Sequence, residues 1–259
     1  MLYKDAVKPA FAATAEGPST VDPAEIARFS RLAEEWWKPD GAFKLVHAFN
    51  AARVTYLCDR LPALVGRDAG ANLPLAGLDI IDVGCGAGIV TEPLSRLGAE
   101  TLGIDAAERN VLVAADHARK QGALVAYRHA LPEDLAAEGE QADIVLTLEV
   151  VEHVADLGRF IGHVAALVRP GGILVVGTLN RTPISFVKAI IGAEYILGWL
   201  PRGTHDWRRF VKPAELETLL ASRFTPVETV AVELNPLTMR WRIGGRPSTN
   251  YLQIYRRMP

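Results

Sequence analysis

Leu78–Gly88 reads LDIIDVGCGAG, and this stretch decides the fold. Leu78-Asp79-Ile80-Ile81 is a short apolar run of the kind a buried strand requires. Asp82-Val83-Gly84-Cys85-Gly86-Ala87-Gly88 then turns tightly, because glycine enters the left-handed region at no steric cost and lets backbone approach a ligand. Ile89–Leu97 (IVTEPLSRL) continues as a helix, whose start offers unpaired N–H groups and the positive end of a dipole. A strand, a glycine turn and a helix in this order make a nucleotide-binding unit.

The glycine spacing narrows the ligand. Gly84, Gly86 and Gly88 stand as G-x-G-x-G, not the G-x-G-x-x-G of a dinucleotide site. Asp82 precedes them, and its carboxylate would repel a pyrophosphate. It suits a ligand bearing a sulfonium and an ammonium but no phosphate, which describes S-adenosylmethionine. Asp105 ends the next apolar strand, about twenty residues on, where a carboxylate can take both ribose hydroxyls. The pattern therefore favours a methyltransferase. Two rivals stand beside it: an NAD(P)-dependent oxidoreductase, and a non-catalytic lipid-binding accessory protein with a vestigial cofactor site.

The totals exclude other classes. The 259 residues suffice for one α/β domain with insertions. A net charge of −2 gives no general attraction to nucleic acid, so no such partner is expected. Cys58 and Cys85 lack metal-pair spacing and fit a reduced, cytoplasmic setting. Cys85, inside the turn, is expected to pack rather than react. No signal peptide is evident, and no run of about 18 residues is free of charge.

Outward from the turn, the chain divides as follows. Met1–Pro18 reads as a loose arm. Residues 19–77 form a helical cover. Asp22 caps its first helix, with Pro23 and Glu25 behind it, and the helix runs to Trp36-Trp37, read as core or as a substrate wall. A second helix, from about Asn50 to Leu64, carries Arg53. Residues 78–178 form the core. Its strands at Glu100–Ile104, Leu124–Tyr127, Ala142–Thr147 and Ile173–Thr178 alternate with helices, which implies a parallel sheet. Ligands then bind past the carboxyl ends of the strands, where Asp82, Asp105, Glu149 and Asn180 fall. Leu131 opens LPEDL and is placed to face an adenine.

Residues 179–210 interrupt the repeat. Ile184–Leu200 (ISFVKAIIGAEYILGWL) is either an amphipathic lid over lipid or a core helix pair. Arg181, Arg202, Arg208 and Arg209 flank it and favour an anionic surface. The remainder, 211–259, holds a helix from Lys212 to about Leu220 and strands at Pro226–Leu234 and Tyr251–Tyr255.

Glu149-Val-Val-Glu152-His153 carries further chemistry. On a helix, these three polar residues share one face. Two carboxylates and an imidazole can hold Mg²⁺, which would bind both oxygens of a catechol and favour its phenolate. Alternatively, His153 is a general base. In a third reading Glu149 touches the nucleotide and His153 only packs.

The chain also resembles the ubiquinone biosynthesis O-methyltransferases. The resemblance rests on STVDPAEIARFS from Ser19, WWKPDGAFK from Trp36, DVGCGAG from Asp82, EVVEHV from Glu149 and PGG from Pro170. GTLNR from Gly177, GAEYILGWLPRGTHDW from Gly192, KPAEL from Lys212 and NPLT from Asn235 complete it. The glycine turn and PGG occur in many methyltransferases, whereas the GAEYIL…GTHD insertion is specific to this family. The resemblance implies a Rossmann-like class I fold, with a mostly parallel seven-stranded sheet and helices on both faces. It implies two O-methylations, on a polyprenyl catechol and on a demethylubiquinol, with S-adenosylmethionine as donor. It implies cofactor contacts at Arg53, Gly84, Asp105 and Leu148, and Mg²⁺ ligands at Glu149, Glu152 and His153. It also implies peripheral attachment to the inner face of the membrane through 184–205, and other enzymes of the same pathway as partners. Some relatives carry Met where this chain has Leu148; a main-chain or apolar contact tolerates the exchange.

Overall fold

The structure is a computed structural model and describes residues 19–38, 44–188, 190, 206–235, 238 and 240–259. The expected arm, 1–18, and most of the expected lid, 191–205, lie outside the described residues. The chain opens with α1 (Pro23–Leu32), a 3₁₀ turn at Ala33–Glu35 and α2 (Lys44–Leu64). Then come β1 (Asp79–Val83), α3 (Thr91–Ser95), β2 (Glu100–Asp105), α4 (Glu108–Gln121), β3 (Val125–His129), α5 (Pro132–Glu138) and β4 (Ala142–Leu148). It closes with α6 (Leu157–Ala166), β5 (Val168–Leu179), α7 (Pro183–Ser185), α8 (Pro213–Leu220), β6 (Phe224–Asn235), β7 (Arg240–Ile243) and β8 (Asn250–Arg257).

The strands form one sheet in the order β3-β2-β1-β4-β5-β8-β6-β7. The first five run parallel, and β8, β6 and β7 add to them antiparallel. Two apolar clusters cover its faces, as a sheet buried on both sides requires. One joins Val83, Val145, Val176 and Tyr255 to Phe160 and Val164 of α6. The other joins Ile80, Ile144, Val175 and Ile254 to Leu57 and Leu61 of α2.

Several expectations need correction. The sheet has eight strands, not seven; the addition is β7, whose Arg-Trp-Arg-Ile alternates exposed and half-buried positions as an edge strand does. α2 begins at Lys44 rather than at about Asn50, whose side chain lies within the helix and accepts from Arg53 Nη2. Arg169-Pro-Gly-Gly172 does not precede the fifth strand but bulges inside it. Ala142 pairs with Val168 and Ile144 with Ile173, so β5 accommodates three extra residues there. Asp22 caps α1 as expected, accepting from the Ala24 N–H at 3.0 Å.

Candidate active site

One cavity of about 580 Å³ runs across the carboxyl ends of the strands. It is lined by the glycine turn, Asp82, Asp105, Leu131, Leu148, Glu149, Glu152, His153 and Arg53, so nearly all the sequence-derived candidates converge on it. Gly88 is not among its lining residues; it shapes the turn from behind.

Glycine is obligatory at two points of the turn. At Gly84 (φ +76°) a Cβ would lie 2.3 Å from Val150 Cγ2, and at Gly88 (φ +84°) one would lie 2.1 Å from the Tyr127 hydroxyl. Asp105 braces the turn from β2. Its Oδ2 accepts from the Gly86 N–H at 2.9 Å, and its Oδ1 accepts from Ala107 N–H at 2.8 Å and Asn110 Nδ2 at 3.2 Å. Asp82 is buried and accepts from the Thr91 hydroxyl at 2.6 Å. Burial pushes its carboxyl up to about 6, against the pull of Thr91 and Arg53. Cys85 packs in an apolar cluster with Val111 and Tyr127, and burial lifts its thiol well above the usual range, as expected for a group that does not react.

The cover reaches this turn directly. Trp36 stands over Gly86. Trp37 Nε1 donates to the Ala87 carbonyl at 3.0 Å, and its ring stacks on His117 at 3.5 Å between centroids. His117 Nδ1 lies 2.7 Å from the buried Glu92 carboxylate. Of the tandem tryptophans, Trp36 therefore lines the cavity and Trp37 braces the turn from outside it.

The segment after β4 departs from expectation. Glu149–His153 is not helical, so its polar side chains do not share a helix face. Glu149 adopts φ +57°, a left-handed backbone that costs a residue with a Cβ about 1–2 kcal/mol. Distant partners hold it there. Its N–H donates to the Gly177 carbonyl at 2.8 Å, its Oε1 accepts from Arg53 Nη1 at 2.8 Å, and its Oε2 accepts from Asn250 at 3.5 Å. Arg53 is itself buried, with its guanidinium 3.9 Å over the Phe49 ring. Glu152 Oε2 accepts from the Thr178 hydroxyl at 2.7 Å, while its Oε1 has no hydrogen-bond partner among the described residues. Burial, reinforced by Glu149, pushes Glu152 up to about 8. His153 turns toward the cover, where Nδ1 lies 2.8 Å from Glu25 Oε2 and Phe29 meets the ring edge-on.

The three expected ligands are drawn to Arg53, Thr178 and Glu25 respectively, and no group of three His, Cys, Asp or Glu among the described residues could hold a metal ion. As arranged, Glu149, Glu152 and His153 do not fit Mg²⁺. The sequence missed Glu25, Thr91, Thr178, Asn250 and Trp241 as site residues. Glu25 was visible only as a helix-start residue, and the others carry no local signal. The flanking arginines are also less free than expected: Arg181 pairs with Glu215, and Arg209 with Asp22 at 3.0 Å.

Comparison with known proteins agrees with this layout. Residues 81–176 match the family described as methyltransferase domain. A ubiquinone biosynthesis O-methyltransferase of Cereibacter sphaeroides is 47% identical over 236 residues, covering 90% of this chain and 96% of that one. One from Mesorhizobium japonicum is 48% identical, covering 91% and 95%.

The chain belongs to this family.

Among solved structures, the N-methyltransferase NodS of Bradyrhizobium japonicum with S-adenosyl-L-homocysteine superposes with a TM-score of 0.60 at 18% identity, covering 90% of this chain and 97% of that one. Magnesium protoporphyrin IX methyltransferase of Synechocystis with bound S-adenosylmethionine gives 0.58 at 20%, covering 93% and 100%. Such likeness shows the Rossmann-like class I fold. Together with family membership it makes the chain an S-adenosylmethionine-dependent O-methyltransferase, and the oxidoreductase reading falls.

Proposed function

We propose that the protein methylates catechol-type hydroxyls of polyprenylated ubiquinone precursors, both a polyprenyl catechol and a demethylubiquinol. The observation that carries this is the single cavity, which joins the glycine turn and Asp105 at one end to Glu149, Glu152 and His153 at the other. In this reading Asp105 takes the ribose hydroxyls, Leu131 and Leu148 flank the base and the sulfur, and Arg53 takes the methionine carboxylate beside Asp82, Gly84 and Gly86. The turn brings backbone, not phosphate-binding charge, to the ligand.

The sulfonium is already an activated donor, so the protein's task is alignment, exclusion of water and deprotonation of the acceptor. The phenolate oxygen forms a bond to the methyl carbon as the sulfur–carbon bond breaks, and S-adenosylhomocysteine leaves. His153, held by Glu25, is the base that receives the phenol proton, with Glu152 beside it. No step requires a cation. Chelator treatment tests that point: retained turnover agrees with His153 as base, and loss reversed by Mg²⁺ counts against it.

Attachment to the inner membrane face through 184–205 belongs to the same reading. Ile184, Phe186 and Val187, at the start of that stretch, are each at least 42% exposed, as a lipid-facing entry would be. No helix among the described residues is long and apolar enough to cross a membrane. Flotation with anionic vesicles checks the attachment. Incubation with a prenylated catechol and methyl-labelled cofactor tests the whole proposal. Label in the ring methoxyl is the expected result, and none in any prenylated phenol overturns it. Glu152→Ala and His153→Ala are expected to lower turnover more than cofactor affinity.

A further inference from the structure

The cavity does not stop at the reacting end. Beyond β4 the sheet continues through β5, β8, β6 and β7. β8 runs antiparallel to β5, β6 antiparallel to β8, and β7 antiparallel to β6. These reversals bring the start of β8, the end of β6 and the start of β7 to the edge that carries the glycine turn. At about 4.8 Å per strand, β6 and β7 stand roughly 14 and 19 Å from β4. The cavity follows them, and its wall there includes Val232, Leu234 and Trp241.

That part of the wall is apolar and has two sides. Leu234 pairs with Trp241 across β6 and β7, so both side chains present to the same face. Val46 and Phe49 of α2 also line the cavity, and the rings of Phe49 and Trp241 are 4.7 Å apart at 51°. Val46, Leu234 and Trp241 are only half-buried, although they belong to a cavity wall. The charges nearby are satisfied locally. Lys188 pairs with Glu233 at 2.8 Å, and Glu233 also accepts from Ser248 and the Thr249 N–H. The opposite flank is closed. Thr20 donates to Glu133 at 2.8 Å, the Ala155 N–H donates to the Thr20 carbonyl, and Arg209 pairs with Asp22, so α1 is tied down over β3 and β4.

We infer that this arm, between the start of α2 and the β6–β7 edge, receives the first isoprene units of the substrate and makes Phe49, Leu234 and Trp241 its specificity-determining residues. The inference rests on the prenylated-catechol reading. Its occupant follows from continuity and chemistry. Asn250, which meets Glu149, lines the same cavity as Val232, Leu234 and Trp241, so a tail on a ring held beside Glu149 can reach that wall without leaving the cavity. Val46, Phe49, Val232, Leu234 and Trp241 offer aliphatic and aromatic surface, which suits a hydrocarbon rather than a second polar ring.

The test compares kcat/KM for a catechol bearing a short isoprenoid tail with the same ring lacking one, at saturating cofactor, in the full chain. The expected result is that Trp241→Ala and Phe49→Ala each lower the preference for the tailed substrate at least tenfold, mainly through KM. A thermal melt accompanies each variant. Should an alanine variant fail to fold, Leu234→Gln, at a half-buried position near the end of β6, carries the same expectation. A wild-type preference that survives in the folded variants overturns the arm and leaves the substrate class standing. A wild-type enzyme that is indifferent to the tail overturns both.

Discussion

The two ends of the crevice are built in different ways. At the glycine-turn end, past β1 and β2, the polar contacts come from within about twenty residues: left-handed glycines, Asp82 on Thr91, and Asp105 on the N–H groups of Gly86 and Ala107, with Trp36 and Trp37 closing over them from the cover. At the other end, past β4, each polar side chain is placed by a partner from a remote element. Glu149 is held by Arg53 and Asn250, Glu152 by Thr178, and His153 by Glu25. A backbone conformation can be written into a short stretch, because φ/ψ preference is local. The direction of a buried charge cannot, because it follows whichever counter-charge the fold delivers.

Arg53→Leu is the strongest way to break this contrast. It leaves the half-buried Glu149 without its cation, and a loss of about 2–3 kcal/mol is expected in denaturant melts. Glu149→Gln added to it is expected to restore more than half; strict additivity of the two changes would show that the acceptor end does not depend on that pair. Gly84→Ala comes next, at about 2–3 kcal/mol, from left-handed strain plus the collision with Val150. Val150→Ala is expected to relieve the collision but not the strain. Full recovery would mean that packing between the two ends, not the backbone, dictates the glycine.

Asp105→Ala sharpens the donor side. Cofactor affinity by calorimetry is expected to fall tenfold or more, about 1.4 kcal/mol, and an unchanged affinity would remove the ribose role. A further effect is pH-dependent. Glu152 titrates at about 8 in the folded protein against an ordinary value of 4.5, so the folded state holds its proton more firmly. Stability is therefore fully present below about 4.5 and is lost as pH rises through 8. Glu152→Gln is expected to raise Tm at pH 9 more than at pH 5; equal shifts at both would refute the buried-carboxylate explanation.

Much of the fold is legible in the sequence because the apolar runs at Ile80–Ile81, Ile144–Leu146 and Leu174–Val176 are long enough to read as buried strands and are spaced by helices. β7 escaped notice because four residues alternating Arg with Trp and Ile resemble an exposed loop until β6 supplies a partner. The acidic cluster falls past the end of β4, where its place in the chain puts it, but in a turn and not on a helix. Helical spacing and an extended turn put the same residues in the same order, and only Gly177, which accepts the Glu149 N–H, distinguishes them.

The sequence alone determined the parallel core, the glycine turn with its flanking aspartates, and hence a donor of the S-adenosylmethionine kind, since these depend on contacts within two successive strand–turn–helix units. Tertiary structure decided the rest. It set where Arg53 and Glu25 meet Glu149 and His153, why those side chains do not converge as metal ligands, and how β6 and β7 extend the crevice. Those outcomes depend on pairings across about a hundred residues, where low dielectric and burial, not local preference, select the geometry.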